Sequence, residues 1–147
     1  MKLTSPEFKN ETAIPSKYTC DGENINPPLE ISDVPKNAKC LVLRCDDPDA
    51  SAGVWLHWIV WNIDPRTKNI AESSVPKGGV QGVTSFGSNH YGGPCPPSGE
   101  HRYLFKIYAM KEKLDLTTDS TLTEVEKAME DKILAEADLM CLYNRGE

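Results

Sequence analysis

The chain lacks an excess of positive charge, a long apolar run and a cysteine pair at metal-binding spacing, and each lack removes a class of function. Sixteen Lys and Arg against 22 Asp and Glu leave a formal charge of −6. Nucleic-acid binders need a cationic surface to displace counterions, so no nucleic-acid partner is expected. The longest unbroken apolar stretch, Leu139 to Tyr143, falls far short of the ~20 residues that cross a bilayer. No integral membrane association is expected. Five cysteines, at positions 20, 40, 45, 95 and 141, include no C-x-x-C pair. They read as thiols, mostly buried, and neither metal nor cofactor is expected. H-E-x-x-H and G-x-S-x-G are also missing, which removes the commonest zinc-hydrolase and serine-hydrolase signatures. No apolar h-region follows Met1–Glu7, so the cytoplasm is the expected location.

What is there fits one globular domain spanning residues 1–147, with 39% hydrophobic and 26% charged residues. Glycine and proline concentrate in residues 76–99, which hold seven of the ten glycines and four of the eleven prolines. Such a stretch must be loop, and a long loop inside a small domain is usually functional. Pro15, Asp21-Gly22, Pro27-Pro28 and Pro35 break residues 1–38 into short extended pieces suited to edge strands and turns. Cys40 to Cys45, Trp55 to Ile63 and Arg102 to Met110 read as strands from their β-branched and aromatic content. Leu122, Val125, Met129, Ile133, Ala137 and Met140 recur at three- and four-residue steps, predicting one helix from about Thr123 to Tyr143. Thr121 with Glu124, or Thr123 with Glu126, supplies a capping box at its start. Strands followed by one late helix favour a mainly antiparallel β architecture.

Alternation along a strand assigns polar residues to faces. Leu41, Leu43 and Cys45 share a face whose parity continues to Asp47 and Asp49. His57 falls in line with Trp55, Ile59, Trp61 and Ile63, and His101 and Tyr103 with Phe105, Ile107 and Ala109. A buried polar group without a partner costs ~1–3 kcal/mol, so several placed on apolar faces near strand ends imply mutual hydrogen bonds or a ligand. The three tryptophans read as core or rim aromatics, and His90 as exposed.

The strand exit Asp47-Pro48-Asp49-Ala50, the pair His57-Trp58, the loop Tyr91-Gly92-Gly93-Pro94-Cys95-Pro96-Pro97-Ser98-Gly99 and the triplet His101-Arg102-Tyr103 occur in order along the chain. Together with Tyr18-Thr19-Cys20-Asp21-Gly22 and Leu142-Tyr143-Asn144-Arg145, they resemble the phosphatidylethanolamine-binding protein (Raf kinase inhibitor-like) family in its shorter bacterial and archaeal branch. The resemblance implies an antiparallel β-sandwich with Greek-key connections, one long glycine- and proline-rich loop and a C-terminal helix. It also implies a cavity for phosphate, carboxylate or a phospholipid headgroup. Asp47, His57, His101 and Tyr103 would line it, with backbone from Gly93 and Cys95, and parity adds Asp49 to the expected site. Ser51 follows Ala50 where the family usually has proline; a cis bond without proline costs ~2.5–4 kcal/mol, so a trans bond is expected.

The expected function is therefore non-enzymatic binding of a small anionic ligand, with regulation of a protein partner such as a kinase as an extension. Two other classes compete. One is a metal- or acid/base-dependent hydrolase using Asp47, His57 and His101. The other is an interaction module docking through the acidic C-terminal helix, since residues 119–138 carry seven acids against Lys127 and Lys132.

Overall fold

Three long strands form the scaffold: β4 (Cys40–Asp47), β5 (Trp55–Ile63) and β8 (His101–Met110). Six shorter or flanking strands complete the set: β1 (Lys2–Thr4), β2 (Thr12–Ala13), β3 (Leu29–Ser32), β6 (Asn69–Ile70), β7 (Val80–Gln81) and β9 (Ile133–Tyr143). Among the described residues one α-helix, α1, spans Leu122–Met129, and a 3-10 turn spans Ser16–Tyr18. The computed structural model describes residues 1–145. The larger sheet has the order β2-β9-β8-β4-β5-β7, and a three-stranded sheet runs β1-β3-β6. Every pairing is antiparallel except β2 with β9, so the larger sheet is mixed.

Both sheets contribute to one core. Leu3, Leu29, Ile31 and Ile70 of the small sheet join Leu41, Leu43, Cys45, Tyr103, Phe105, Ile107, Leu139 and Cys141 of the large one. The opposite face of the large sheet presents Val42, Leu56, Ile59, Trp61 and Met110 to α1, whose Val125 and Met129 fill the second cluster. Arg44, on that face, bridges Asp46 of its own strand and Glu126 of the helix at 2.9 and 3.0 Å, which ties α1 to the sheet. Among the described residues no helix is long and apolar enough to cross a membrane, and no peptide bond is cis, the Ala50–Ser51 bond included.

Two sequence expectations are corrected here. The C-terminal helix ends at Met129: Glu130 leaves helical geometry, Asp131 takes φ +62°, and Ile133–Tyr143 is β9 rather than helix. The Ala, Glu, Leu and Met content of that segment favours helix, but ten residues of β9 pair with β8, and tertiary pairing overrides propensity. A period of two was also present, since Ala135, Ala137, Leu139, Cys141 and Tyr143 all turn to the main core. The capping box at the helix start is real and uses Thr121 and Glu124. The second correction concerns cysteine: Cys20 and Cys95 form a disulfide, while Cys40, Cys45 and Cys141 are buried thiols.

Register explains how the site is aimed. Opposite β4, Asp47 pairs with Trp55, Asp46 with Leu56, and Cys45 with Trp58, so His57 is an extra residue in β5. Such a bulge breaks alternation and turns consecutive side chains to one side. Trp58 and Val60 consequently point into the main core, while Leu56, Ile59 and Trp61 face α1. The alignment of His57 with Ile59 and Trp61 expected from simple alternation is therefore incorrect. A second shift between Leu41 and Leu43, opposite Asn62 at φ +58°, returns Ile63 to the main core.

Candidate functional site

At one end of the large sheet, adjacent strands present Asp47 (end of β4), His57 (β5), and His101 and Tyr103 (start of β8). They line a cavity of about 350 Å³ with Asp49, Ala50, Ser51, Trp55, Phe86 and Cys95–Ser98. Cys95–Ser98 belong to the glycine- and proline-rich loop, whose 80–81 portion forms β7. Phe86 sits on a turn pinned to β5: Ser85 N–H donates to Leu56 O at 2.9 Å, and Leu56 N–H donates to Ser85 Oγ at 2.8 Å.

Inside the cavity the polar groups hold one another in place. His101 Nδ1–H donates to Asp47 Oδ2 at 2.7 Å, and Asp49 N–H donates to Asp47 Oδ1 at 2.8 Å. Both carboxylate oxygens are thereby engaged, and Asp47 fixes the His101 tautomer. His57 Nδ1–H donates to the Gly92 carbonyl at 2.6 Å. Burial lowers the His57 pKa below its ordinary value, against the opposing pull of the Gly92 carbonyl, the Asp47 charge and the nearby Gly93 carbonyl. The ring packs edge-on between Phe86 and Tyr103, with centroids 5.2 and 5.3 Å away.

The Tyr103 hydroxyl is fully buried and has no hydrogen-bond partner among the described residues. Burial first, then the Asp47 charge, push its ionisation far above the usual phenol range, so it stays a donor. On the rim, Asp49 receives the backbone N–H, Nε and Nη2 of Arg102 at 2.8, 3.0 and 2.8 Å. Those bonds hold its carboxyl down to about 2.

Six of the seven expected site residues converge on the cavity. Gly93 does not line it: its N–H donates to Asn24 Oδ1 at 2.8 Å, and a Cβ there would lie 2.3 Å from Tyr18 O. Glycine at 93 serves a close approach of two backbones instead. Cys95 lines the cavity with its sulfur tied to Cys20. Phe86, Trp55, Ser51 and Ser98 were not singled out for the site. The loop's composition pointed to the region of Phe86 and Ser98, and Trp55 shares the parity of Asp47 and His57. His90 is exposed, as expected, with Nδ1 3.1 Å from Tyr91 O. Among the described residues no cluster of three potential ligands could hold a metal ion.

The family model described as phosphatidylethanolamine-binding protein matches residues 4–144. A UPF0098 protein of Methanothermobacter thermautotrophicus is 48% identical over 151 residues, covering 99% of this chain and all of that one. A UPF0098 protein of Pyrococcus abyssi is 44% identical over 99% of this chain and 86% of its own. Among solved structures, a phosphatidylethanolamine-binding protein homolog from Chlamydia trachomatis superposes with a TM-score of 0.94 at 42% identity, covering 98% of this chain and 97% of that one. Escherichia coli YbcL, described as a new member of the mammalian PEBP family, gives a TM-score of 0.90 at 30% identity over 97% of each chain.

Proposed function

Since the chain belongs to the phosphatidylethanolamine-binding protein family, we propose that its cavity binds a small anionic group, phosphate or carboxylate, without transforming it. The observation that carries this reading is the Tyr103 hydroxyl, buried, protonated and unpartnered on the cavity wall. An orphaned donor of this kind costs ~1–3 kcal/mol, and a ligand oxygen would satisfy it. Ser51 and Ser98 line the same cavity, and Asp47 holds the His101 ring there at 2.7 Å. The proline-flanked disulfide loop lowers the ordering entropy lost on binding.

The test is Tyr103→Phe. Removing an unsatisfied hydroxyl should leave the free protein as stable or up to about 1 kcal/mol more stable, while calorimetric affinity for inorganic phosphate falls about tenfold. Unchanged affinity would remove the pocket assignment.

The Asp47–His101 pair also resembles a base held by an orienting carboxylate, which supports the hydrolase alternative. No nucleophile among the described residues hydrogen-bonds to His101, however. Turnover of a phosphate ester in a direct assay would favour that alternative. The docking-module reading loses its basis, because the acidic segment is split between a short helix and a paired strand. Regulation of a protein partner such as a kinase rests on the family resemblance alone. The proposed cytoplasmic location must accommodate the Cys20–Cys95 disulfide, which persists in a cell interior only where thiols are not kept reduced, as in hyperthermophiles.

A further inference from the structure

His57 has one ring nitrogen already spoken for. A carbonyl oxygen only accepts, so the 2.6 Å contact to Gly92 places the proton on Nδ1. In the neutral ring the remaining nitrogen, Nε2, is then an acceptor, and no hydrogen bond from the described residues reaches it. The bulge in β5 turns this ring to the cavity side. Its charged and titratable surroundings are Asp47, with both oxygens engaged, and Asp46 beyond it on β4. His101 and Tyr103 face it from β8, and the Asp49–Arg102 pair lies on the rim. From the loop side it meets Phe86 and the Gly92 and Gly93 carbonyls. Burial disfavours the imidazolium form.

The cavity therefore offers a committed donor, Tyr103, and a committed acceptor, His57, whose rings lie 5.3 Å apart between centroids. A fully deprotonated oxyanion matches only the first: its second oxygen would set a lone pair against Nε2 and a charge near Asp47. An acid that still carries one hydroxyl matches both. Resting on the anion-binding reading, we propose that His57 accepts a hydrogen bond from the ligand, and that the cavity selects a phosphomonoester in its singly protonated, monoanionic form. Selectivity of this kind is steep, because the wrong ligand leaves buried polar groups facing each other unpaired.

Methyl phosphate and methyl sulfate provide the comparison. At pH 5.5 both are mostly monoanions of similar shape, but only the phosphate carries a proton, since its second pKa is about 6. Calorimetry should find methyl phosphate bound at least tenfold tighter, with the advantage shrinking as pH rises to 8 and the ester loses that proton. His57→Phe, checked for folding by its thermal melt, should bring the two within about threefold. In the free protein, the ring nitrogen-15 shifts of His57 should show a bare Nε2 at pH 8.

Equal binding of the two esters by the wild type, tighter binding of the sulfate, or a proton on Nε2 at pH 8 would overturn the inference and leave the anion reading standing. So would a preference that survives in His57→Phe. If neither ester nor inorganic phosphate binds, the anion reading itself fails.

Discussion

Replacing Cys20 and Cys95 together by serine tests what the disulfide contributes. The bond closes a sequence separation of 75 residues. In the chain-entropy picture a loop of that size costs the unfolded ensemble about 4.5 kcal/mol at 25 °C. That is a large share of the ~5–15 kcal/mol by which domains are stable. The native geometry has other anchors at the same place: Cys20 N–H to Pro94 O at 3.1 Å, Gly93 N–H to Asn24 Oδ1 at 2.8 Å, and Tyr91 O–H to Tyr18 O at 2.8 Å. The cavity should thus keep its shape, and phosphate affinity should stay within about threefold. In urea, with a slope of about 2 kcal/mol per molar, the midpoint should fall by about 2 M. The loss should appear mainly as slower folding, because the cross-link acts on the unfolded chain. Cys40, Cys45 and Cys141 will not confuse the comparison, since each is fully buried and burial pushes the Cys141 thiol up to about 12. A stability loss under about 1 kcal/mol, or one expressed mainly as faster unfolding, would refute this reasoning.

Gly93→Ala should destabilise by about 2 kcal/mol or more, because its Cβ would meet the Tyr18 and Thr19 backbone rather than a movable side chain; a melt within a degree of wild type would contradict that. Gly92→Ala should be mild, since the atom it meets at 2.5 Å belongs to the half-exposed Phe86 ring, which can swing away. Uncovering His57 in that variant should raise its pKa, read by NMR titration. Asp49 is held at about 2 by Arg102, so its contribution to stability is full above the unfolded value of ~3.9 and is lost as pH falls toward 2. Asp49→Asn should flatten that part of an acid-denaturation curve, and an unchanged curve would show the pair contributes nothing. His57 works in the same direction at higher pH. Its pKa is lowered, so the stability it adds is full above ~6.5 and is lost as pH falls through the folded value; His57→Phe should remove that limb.

Alternation puts Asp47, His101 and Tyr103 on the core-side faces of their strands, and they lie there because β4 and β8 pair without a shift from Cys40 to Asp46. For His57 alternation fails: the bulge that aims it at the cavity also reverses Ile59 and Trp61, and nothing in the residue types of Trp55–Ile63 announces an extra residue. β9 was hidden because its helix-forming composition is overruled by a partner strand more than twenty residues away in sequence. The disulfide was illegible for a related reason. Cys20 and Cys95 meet only once the Tyr18–Asn24 turn lies against the 91–95 loop, and no local spacing encodes that contact. Phe86 covers His57 through the turn that Ser85 pins to β5, again a purely tertiary placement.

The register of β5 has one more consequence. Take His57 out of the chain, and the strand alternates as far as the second shift at Asn62: Trp55, Trp58 and Val60 on one side, Leu56 and Ile59 on the other, each still opposite its partner in β4. The residue that lines the cavity from the middle of this segment, His57, is thus supernumerary to the pairing of the sheet that carries it. The β4–β5 register does not use it, so a one-residue deletion there should keep that pairing while losing both hydrogen bonds that tie the strand to Gly92. In this sense the proposed ligand recognition is an insertion into the strand, and pairing and binding can be lost or gained separately.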